Sequence, residues 1–284
     1  MVALGSVRSC GVSTLAVALT ATWPRGRRVL LIEADPAGGT LAAASGWPPE
    51  PGLVSLAAAA RRRFDPTLLW EHCQVLPGGA AVLAGPASAD QARGALGMLG
   101  GLAGHLDSLD ADVVVDCGRL DLGSLSMPVW EGAGRQVLLA RPRLADLHAL
   151  AAWTETHPAG TRPTEPSRAG LVVVGDGPYP DAEIAEALDV EVLSRLPWDP
   201  RGAAAIVSTP ASSREVRLVP LVRAARTLAD RLAAEIGRPV TAAAAEHAPA
   251  SMPAPRLATR MLRAWRPATV GESSNGAAPE EVRR

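Results

Sequence analysis

The sequence predicts an α/β fold, a mostly parallel sheet with helices on both faces. Three observations carry that expectation. Short apolar runs at 2–4, 29–32, 81–83, 113–115, 136–139, 171–174 and 190–193 alternate with stretches of helical character at 11–21, 53–62, 89–106, 144–156, 181–188 and 214–236. Several runs are apolar at every position, as expected of strands covered on both faces. Pro- and Gly-rich connections at 47–52, 77–79 and 157–166 separate them. Alternation of this kind builds βαβ units with right-handed crossovers.

The strands and helices account for roughly the first 237 of 284 residues. With 48% hydrophobic residues, the chain can bury a sizeable core. The expected division is a domain over 1–237 and an Ala/Pro-rich tail over 238–284, largely disordered, with one short helix at 256–266. A net charge of −1 argues against a protein that coats nucleic acid along its whole surface, while a local basic patch stays open. All 28 Lys-plus-Arg positions are arginine, a composition that points to a GC-rich genome. Three cysteines, Cys10, Cys73 and Cys117, make no disulfide framework, which favours a reducing cytoplasm. No apolar run approaches the roughly 18 residues of a membrane span. The residues Met1-Val2-Ala3-Leu4-Gly5 read as a first strand rather than a signal peptide.

The first strand runs into Gly5-Ser6-Val7-Arg8-Ser9-Cys10-Gly11-Val12-Ser13-Thr14 and then an apolar helix. Strand, small-residue loop, helix is the context of a phosphate-binding loop. Backbone N–H groups at a helix N-terminus can cradle an anion without side-chain charge. The spacing G-x-x-x-x-G-K-[ST] maps onto Ser6 through Ser13, with Ser6 in the first glycine slot and Val12 in the lysine slot. Ser9, Cys10, Gly11, Val12, Ser13 and Thr14 are the candidate phosphate-binding residues, and Ser13 stands where a hydroxyl meets Mg²⁺. A tight connection that binds nothing fits the loop alone equally well.

Two further segments weigh against that reading. Val29-Leu30-Leu31-Ile32-Glu33-Ala34-Asp35-Pro36 is a strand ending in acids, and Asp112-Val113-Val114-Val115-Asp116 is an apolar strand ending in Asp. A carboxylate at the C-terminal end of a buried strand, beside such a loop, is placed to hold metal-bound water.

With these residues the chain resembles the ParA/MinD family of P-loop ATPases. That family carries K-G-G-x-G-K-[ST] after its first strand, D-x-D-P near residue 35 and an apolar strand ending in Asp near residue 115. The similarity continues through Val137-Leu138-Leu139-Ala140-Arg141-Pro142, Gly170-Leu171-Val172-Val173-Val174-Gly175 and Leu196-Pro197-Trp198-Asp199-Pro200, and covers about residues 1–235. It is nearest to the actinobacterial MinD-like and CpaE-like branch. The resemblance implies that Asp35 is the catalytic aspartate that positions the attacking water. It implies that Asp116 is the Walker B aspartate, holding Mg²⁺ through water, and that Ser13 is the Mg²⁺ hydroxyl. ATP and Mg²⁺ are the implied cofactors. A protein partner and a nucleotide-dependent homodimer are the implied partners.

The departures shape the functional expectation. Val12 fills the loop-lysine slot, Val7 fills the slot of the lysine that reaches across a dimer, and Gly175 lies near the family's adenine-reading Asn. A charge-assisted bond to phosphate contributes roughly 1.5–3 kcal/mol, so losing one weakens binding about 10- to 100-fold. A missing trans cation costs roughly 10³–10⁵ in rate. The expected protein is therefore a positioning or regulatory factor with weak nucleotide binding and little or no ATP hydrolysis. The alternatives are an active ATP-dependent switch in chromosome partition, septum placement or pilus and secretion positioning, and a nucleotide-free interaction module. Arg8 is the first candidate to replace the missing charge.

Cys10, at a helix N-terminus, has the setting that lowers a thiol pKa, and Cys117 follows a neighbouring strand. A redox pair and two space-filling thiols are both open. The histidines show no metal-ligand spacing, and the tryptophans, Trp198 among them, read as packing. In the tail, Leu257, Met261, Leu262 and Trp265 fall on one helical face and Arg256, Arg260, Arg263 and Arg266 on the rest. Such a segment lies on the inner face of an anionic membrane, docks on a partner or on the body, or stays a plain tail. Nucleic acid as a partner is left open.

Overall fold

Alternate residues of the central strands enter two separate hydrophobic cores. A computed structural model describes residues 1–61, 67–106, 108–157 and 168–236. In it Val2, Leu4, Leu31, Val114, Val137 and Val172 join one core, while Ala3, Leu30, Ile32, Val113, Leu138 and Leu171 join the other. A strand apolar on both faces has to be covered on both, and this sheet is.

The strands are β1 (Val2–Ser6), β2 (Val29–Glu33), β3 (Gln74–Val75), β4 (Ala81–Leu83), β5 (Asp112–Arg119), β6 (Arg135–Ala140), β7 (Ala169–Val174) and β8 (Glu191–Leu196). Their order is β3-β4-β2-β5-β1-β6-β7-β8, parallel throughout except for the antiparallel pair β3–β4. All seven expected strands are present, with β8 shifted toward its C-terminus. Val190 instead closes the preceding helix, its N–H donating to the Ala185 carbonyl.

The helices are α1 (Val12–Thr22), α2 (Leu41–Ser45), α3 (Leu53–Ala60), α4 (Leu68–Glu71), α5 (Ala89–Leu106), α6 (Met127–Gly132), α7 (Leu144–Thr156), α8 (Asp181–Leu188), α9 (Pro200–Ser208) and α10 (Pro220–Ile236). The core shared by α1, α9 and α10 covers one face, and α3, α5, α6, α7 and α8 contribute to the other. Helix α10 starts at Pro220, not at 214, because a proline has no N–H to leave unpaired and sits well in a first turn. Five elements escape the sequence expectation: β3, α2, α4, α6 and α9. The tail assigned to 238–284, with its helix at 256–266, lies outside the described residues.

A buried clamp fixes the edge where the strands begin. Asp112 opens β5 and accepts from Trp23 Nε1 at 2.8 Å and from Arg27 Nη2 at 2.7 Å. Arg27 also donates to the Ala233 carbonyl of α10 at 3.0 Å. The end of α1, the start of β5 and the end of α10 are thereby tied together.

Candidate functional site

The opposite edge, where the strands end, gathers the sequence-predicted residues. Because β1 lies beside β5 and β5 beside β2, their terminal residues are neighbours, with Glu33 paired to Asp116 in register. The chain leaves β1 through Ser6 and enters α1 at Gly11, whose φ of 103° is left-handed and suits glycine alone. No side chain caps α1, so the N–H groups of its first turn are left for an anion. Ser9 and Gly11 are exposed, Ser13 and Thr14 half-buried, and Cys10 and Val12 buried. Val12, at 6% exposure, packs into the core shared with α10 rather than facing the loop.

Asp116 is fully buried. Its Oδ1 accepts from the Gly118 N–H at 2.9 Å, whereas Oδ2 has no hydrogen-bond partner. Ser13 stands beside this carboxylate and favours its charge, without closing a bond on Oδ2 that meets normal geometry. Burial dominates, and with Glu33 and Asp35 nearby it pushes the Asp116 pKa up to about 7. Asp35 is half-buried, and its Oδ1 accepts from the Ala37 N–H at 2.8 Å. Burial raises its pKa, while that bond and the charge of Arg119 oppose the rise.

Glu33 behaves differently from the two aspartates. Its Oε1 accepts from the N–H groups of Thr40 (2.7 Å) and Leu41 (3.1 Å), and its Oε2 from Gly85 N–H at 2.9 Å. Both oxygens are engaged in holding α2 and the end of β4 against β2. Glu33 is a brace, not a free ligand.

Sequence reasoning missed Arg119. It ends β5, is exposed, and donates from Nη2 to Ser9 Oγ at 3.3 Å. Arg8 is exposed in the loop itself. The signal that could have found Arg119 is its place three residues after Asp116, where a strand end faces the loop.

On the β7–β8 side of the loop lies a cavity of about 270 Å³, walled by Cys10, Gly11, Thr14, Val174, Pro197 and Trp198 among others. The two aspartates are not among its walls. Trp198 is 58% exposed, and the Arg141 guanidinium stacks 4.2 Å from its ring centroid. Trp198, read from the sequence as loop packing, packs against Arg141 and also borders the cavity beside the loop. The thiol expectation is corrected. Burial pushes the Cys10 pKa up to about 11, overriding the helix N-terminus, and raises that of Cys117 as well. Cys10 and Cys117 belong to cores on opposite faces of the sheet.

No family model and no curated protein matches the chain. Solved structures do. A ParA family ATPase from Chlorobium tepidum TLS matches with a TM-score of 0.63 at 18% identity, over 80% of this chain and 98% of that one. The septum site-determining protein MinD of Pyrococcus horikoshii OT3, complexed with Mg-ADP, matches at 0.65 and 16%, over 81% and 94%. The fold is that of the ParA/MinD ATPases. A cobyrinic acid a,c-diamide synthase from Mycobacterium smegmatis, with bound ATP analogue and magnesium, also matches, at 0.55 and 20% identity over 86% and 98%. One ParA/MinD-like fold thus serves positioning proteins and a synthase, so function has to be argued from the site.

The residues present fit a nucleotide with magnesium. The observation is the orphaned Asp116 Oδ2, a buried carboxyl oxygen with no partner beside the Ser13 hydroxyl. Among the described residues no group of three or more His, Cys, Asp or Glu side chains could hold a metal ion alone. A cation there would share its coordination among Ser13, water and phosphate oxygens, as Mg²⁺ commonly does. No helix among the described residues is long and apolar enough to cross a membrane.

Proposed function

We propose that this chain is a ParA/MinD-like positioning or regulatory protein that binds ATP–Mg²⁺ weakly and hydrolyses it little or not at all. The observation that supports this reading is the contrast at the head of α1. Ser13 and the unpartnered Asp116 Oδ2 offer a seat for a hydrated cation, while the lysine slot holds a buried valine.

In this reading the first-turn N–H groups of α1 and the loop from Ser9 to Thr14 cradle phosphate oxygens. Ser13 and Asp116 orient Mg²⁺, Asp116 through water. The magnesium supplies charge neutralisation on the phosphates when bound. Asp35, beside Gly118 at the same edge, accepts a hydrogen bond from the attacking water. The cavity beside Cys10 and Gly11 takes the base and ribose between Thr14 and Pro197. Its walls are mainly apolar, so stacking and shape dominate over hydrogen-bond reading there. Without a loop lysine or a trans lysine, charge developing on the leaving oxygen is poorly met, and turnover falls by roughly 10³-fold or more.

Exposed Leu122, Leu125 and Leu144 follow the strand ends of β5 and β6. They support contact with a protein partner or a second copy. We extend the proposal to the tail at 238–284, whose basic amphipathic segment at 256–266 would add a weak contact with a partner or an anionic membrane face.

Calorimetry with ATP–Mg²⁺, followed by a turnover assay, tests the reading. Weak binding with negligible phosphate release is expected. Turnover at rates usual for an active switch ATPase, abolished by Asp35→Ala, would replace it with the switch reading. Absence of any binding would leave an interaction module.

A further inference from the structure

We infer that Arg119 supplies the phosphate-facing cation that the loop lacks, acting in the same subunit on the anion held at the head of α1. This rests on the nucleotide-binding reading above and names the residue that keeps it workable.

The geometry begins with the register. Arg119 pairs with Ser6, the last residue of β1, and the Leu120 N–H donates to the Ser6 carbonyl at 2.8 Å. The loop's entry and the root of the Arg119 side chain are therefore locked side by side. From there the guanidinium reaches Ser9, two residues before the left-handed Gly11. Arg119 is exposed and its bond to Ser9 Oγ is long, at 3.3 Å. A guanidinium carries five donors, so most of the fork stays available for a planar two-point contact with phosphate oxygens.

Besides the register, an orphaned buried oxygen points to a ligand at this edge. The fully buried Asp116 Oδ2 has no partner, although it stands next to Ser13 in the first turn of α1. A buried, unpaired carboxylate oxygen is costly unless a ligand completes it. Asp35, on the other side, feels the Arg119 charge. Arg119 thus stands beside the loop and near Asp35, at the strand-end edge where the triphosphate's outer oxygens would lie. Val12 cannot serve, since its side chain is uncharged and in the core, and Arg8, also exposed, is the rival cation.

The test is calorimetric titration of the full chain with ATP–Mg²⁺ and ADP–Mg²⁺, with the melting temperature of each free variant recorded alongside. Arg119→Gln is expected to weaken binding roughly 10- to 100-fold, the range of one charge-assisted hydrogen bond. Arg119→Lys should recover much of that loss, and the salt dependence of affinity should be shallower for Gln than for Lys or Arg. Melting of the free protein should hardly move, because the side chain is exposed. A structural role through Ser9 alone predicts instead that Gln, which can still hydrogen-bond, binds as well as Arg. Equal binding by the unmodified protein and Arg119→Gln overturns the inference and leaves the nucleotide reading intact. So does a loss in Arg8→Ala that is absent in Arg119→Gln. No binding by the unmodified protein overturns both.

Discussion

The Asp35 carboxylate lies against the α-carbon of Gly118, where a methyl group would stand 2.2 Å from the Asp35 Cγ. Gly118 also has a φ of 63°, in the left-handed region. The absence of one side chain on β5 therefore decides where the aspartate after β2 can rest.

Gly118→Ala should destabilise the fold by about 1–2 kcal/mol from the left-handed backbone alone, and by more from the clash. In an Asp35→Ala background only the backbone part should remain. A double-mutant cycle by urea denaturation separates the two. Strict additivity of the two substitutions would show that Asp35 does not rest on Gly118 in solution.

Asp116 should make the protein lose stability as pH rises. Its pKa stands at about 7 in the folded chain against 3.8 ordinarily. Below the ordinary value both states hold the proton and there is no penalty. Between the two values the folded state binds more protons, so unfolding becomes easier with each step of pH, and above about 7 the loss is complete. The full effect has an upper bound of about 4 kcal/mol, at 1.36 kcal/mol per pKa unit. Asp116→Asn should therefore melt higher than the parent at pH 8 and nearly the same at pH 4. Glu33 and Asp35 shift the same way and leave a residual slope. A variant that melts lower at pH 8 would contradict this account.

Val12→Lys should act in two opposed directions. The side chain at 12 is in the core, so an ammonium there lowers the melting temperature of the free protein. With ATP–Mg²⁺ present, the lysine has an anion to reach for, and affinity should tighten roughly 10- to 100-fold. Thermal shifts with and without nucleotide read both effects in one experiment. A lysine that lowers stability and leaves affinity unchanged would mean that its ammonium does not reach from the core to the bound phosphate.

Asp112→Ala should be the most damaging of these changes. It removes the counter-charge of the Arg27 guanidinium, whose side chain is 8% exposed, and the acceptor of the Trp23 indole N–H. Breaking one partner of a buried pair costs about 3–5 kcal/mol. Chemical denaturation should show that loss, and the paired change Arg27→Met with Asp112→Leu should recover part of it.

The sheet was legible because several of its strands carry runs that are apolar at every position, as two covered faces require. The aspartates were legible because each closely follows an apolar run, Asp116 directly after Val115 and Asp35 three residues after Ile32. The omitted elements fail for the opposite reason: α2, α4 and α6 are 5, 4 and 6 residues long, too short for a 3.6-residue period to repeat. Helix α9 did carry a readable start, Asp199 followed by Pro200, and Asp199 indeed accepts from the Gly202 N–H at 2.8 Å. Arg119 was hidden because its meaning depends on Ser9, 110 positions away in sequence. The fates of Cys10 and Cys117 were hidden because which face a residue takes, and the desolvation it meets there, follow from packing rather than spacing.

The contact of Arg27 with the Ala233 carbonyl gives the molecule a front and a back. That contact lies where strands begin, whereas the phosphate loop lies where they end, a strand's length away, about 17 Å for the five residues of β1. Helix α10 therefore ends at the rear of the body, and a fluorescent label on exposed Ala234 in its last turn should not hinder ligand entry.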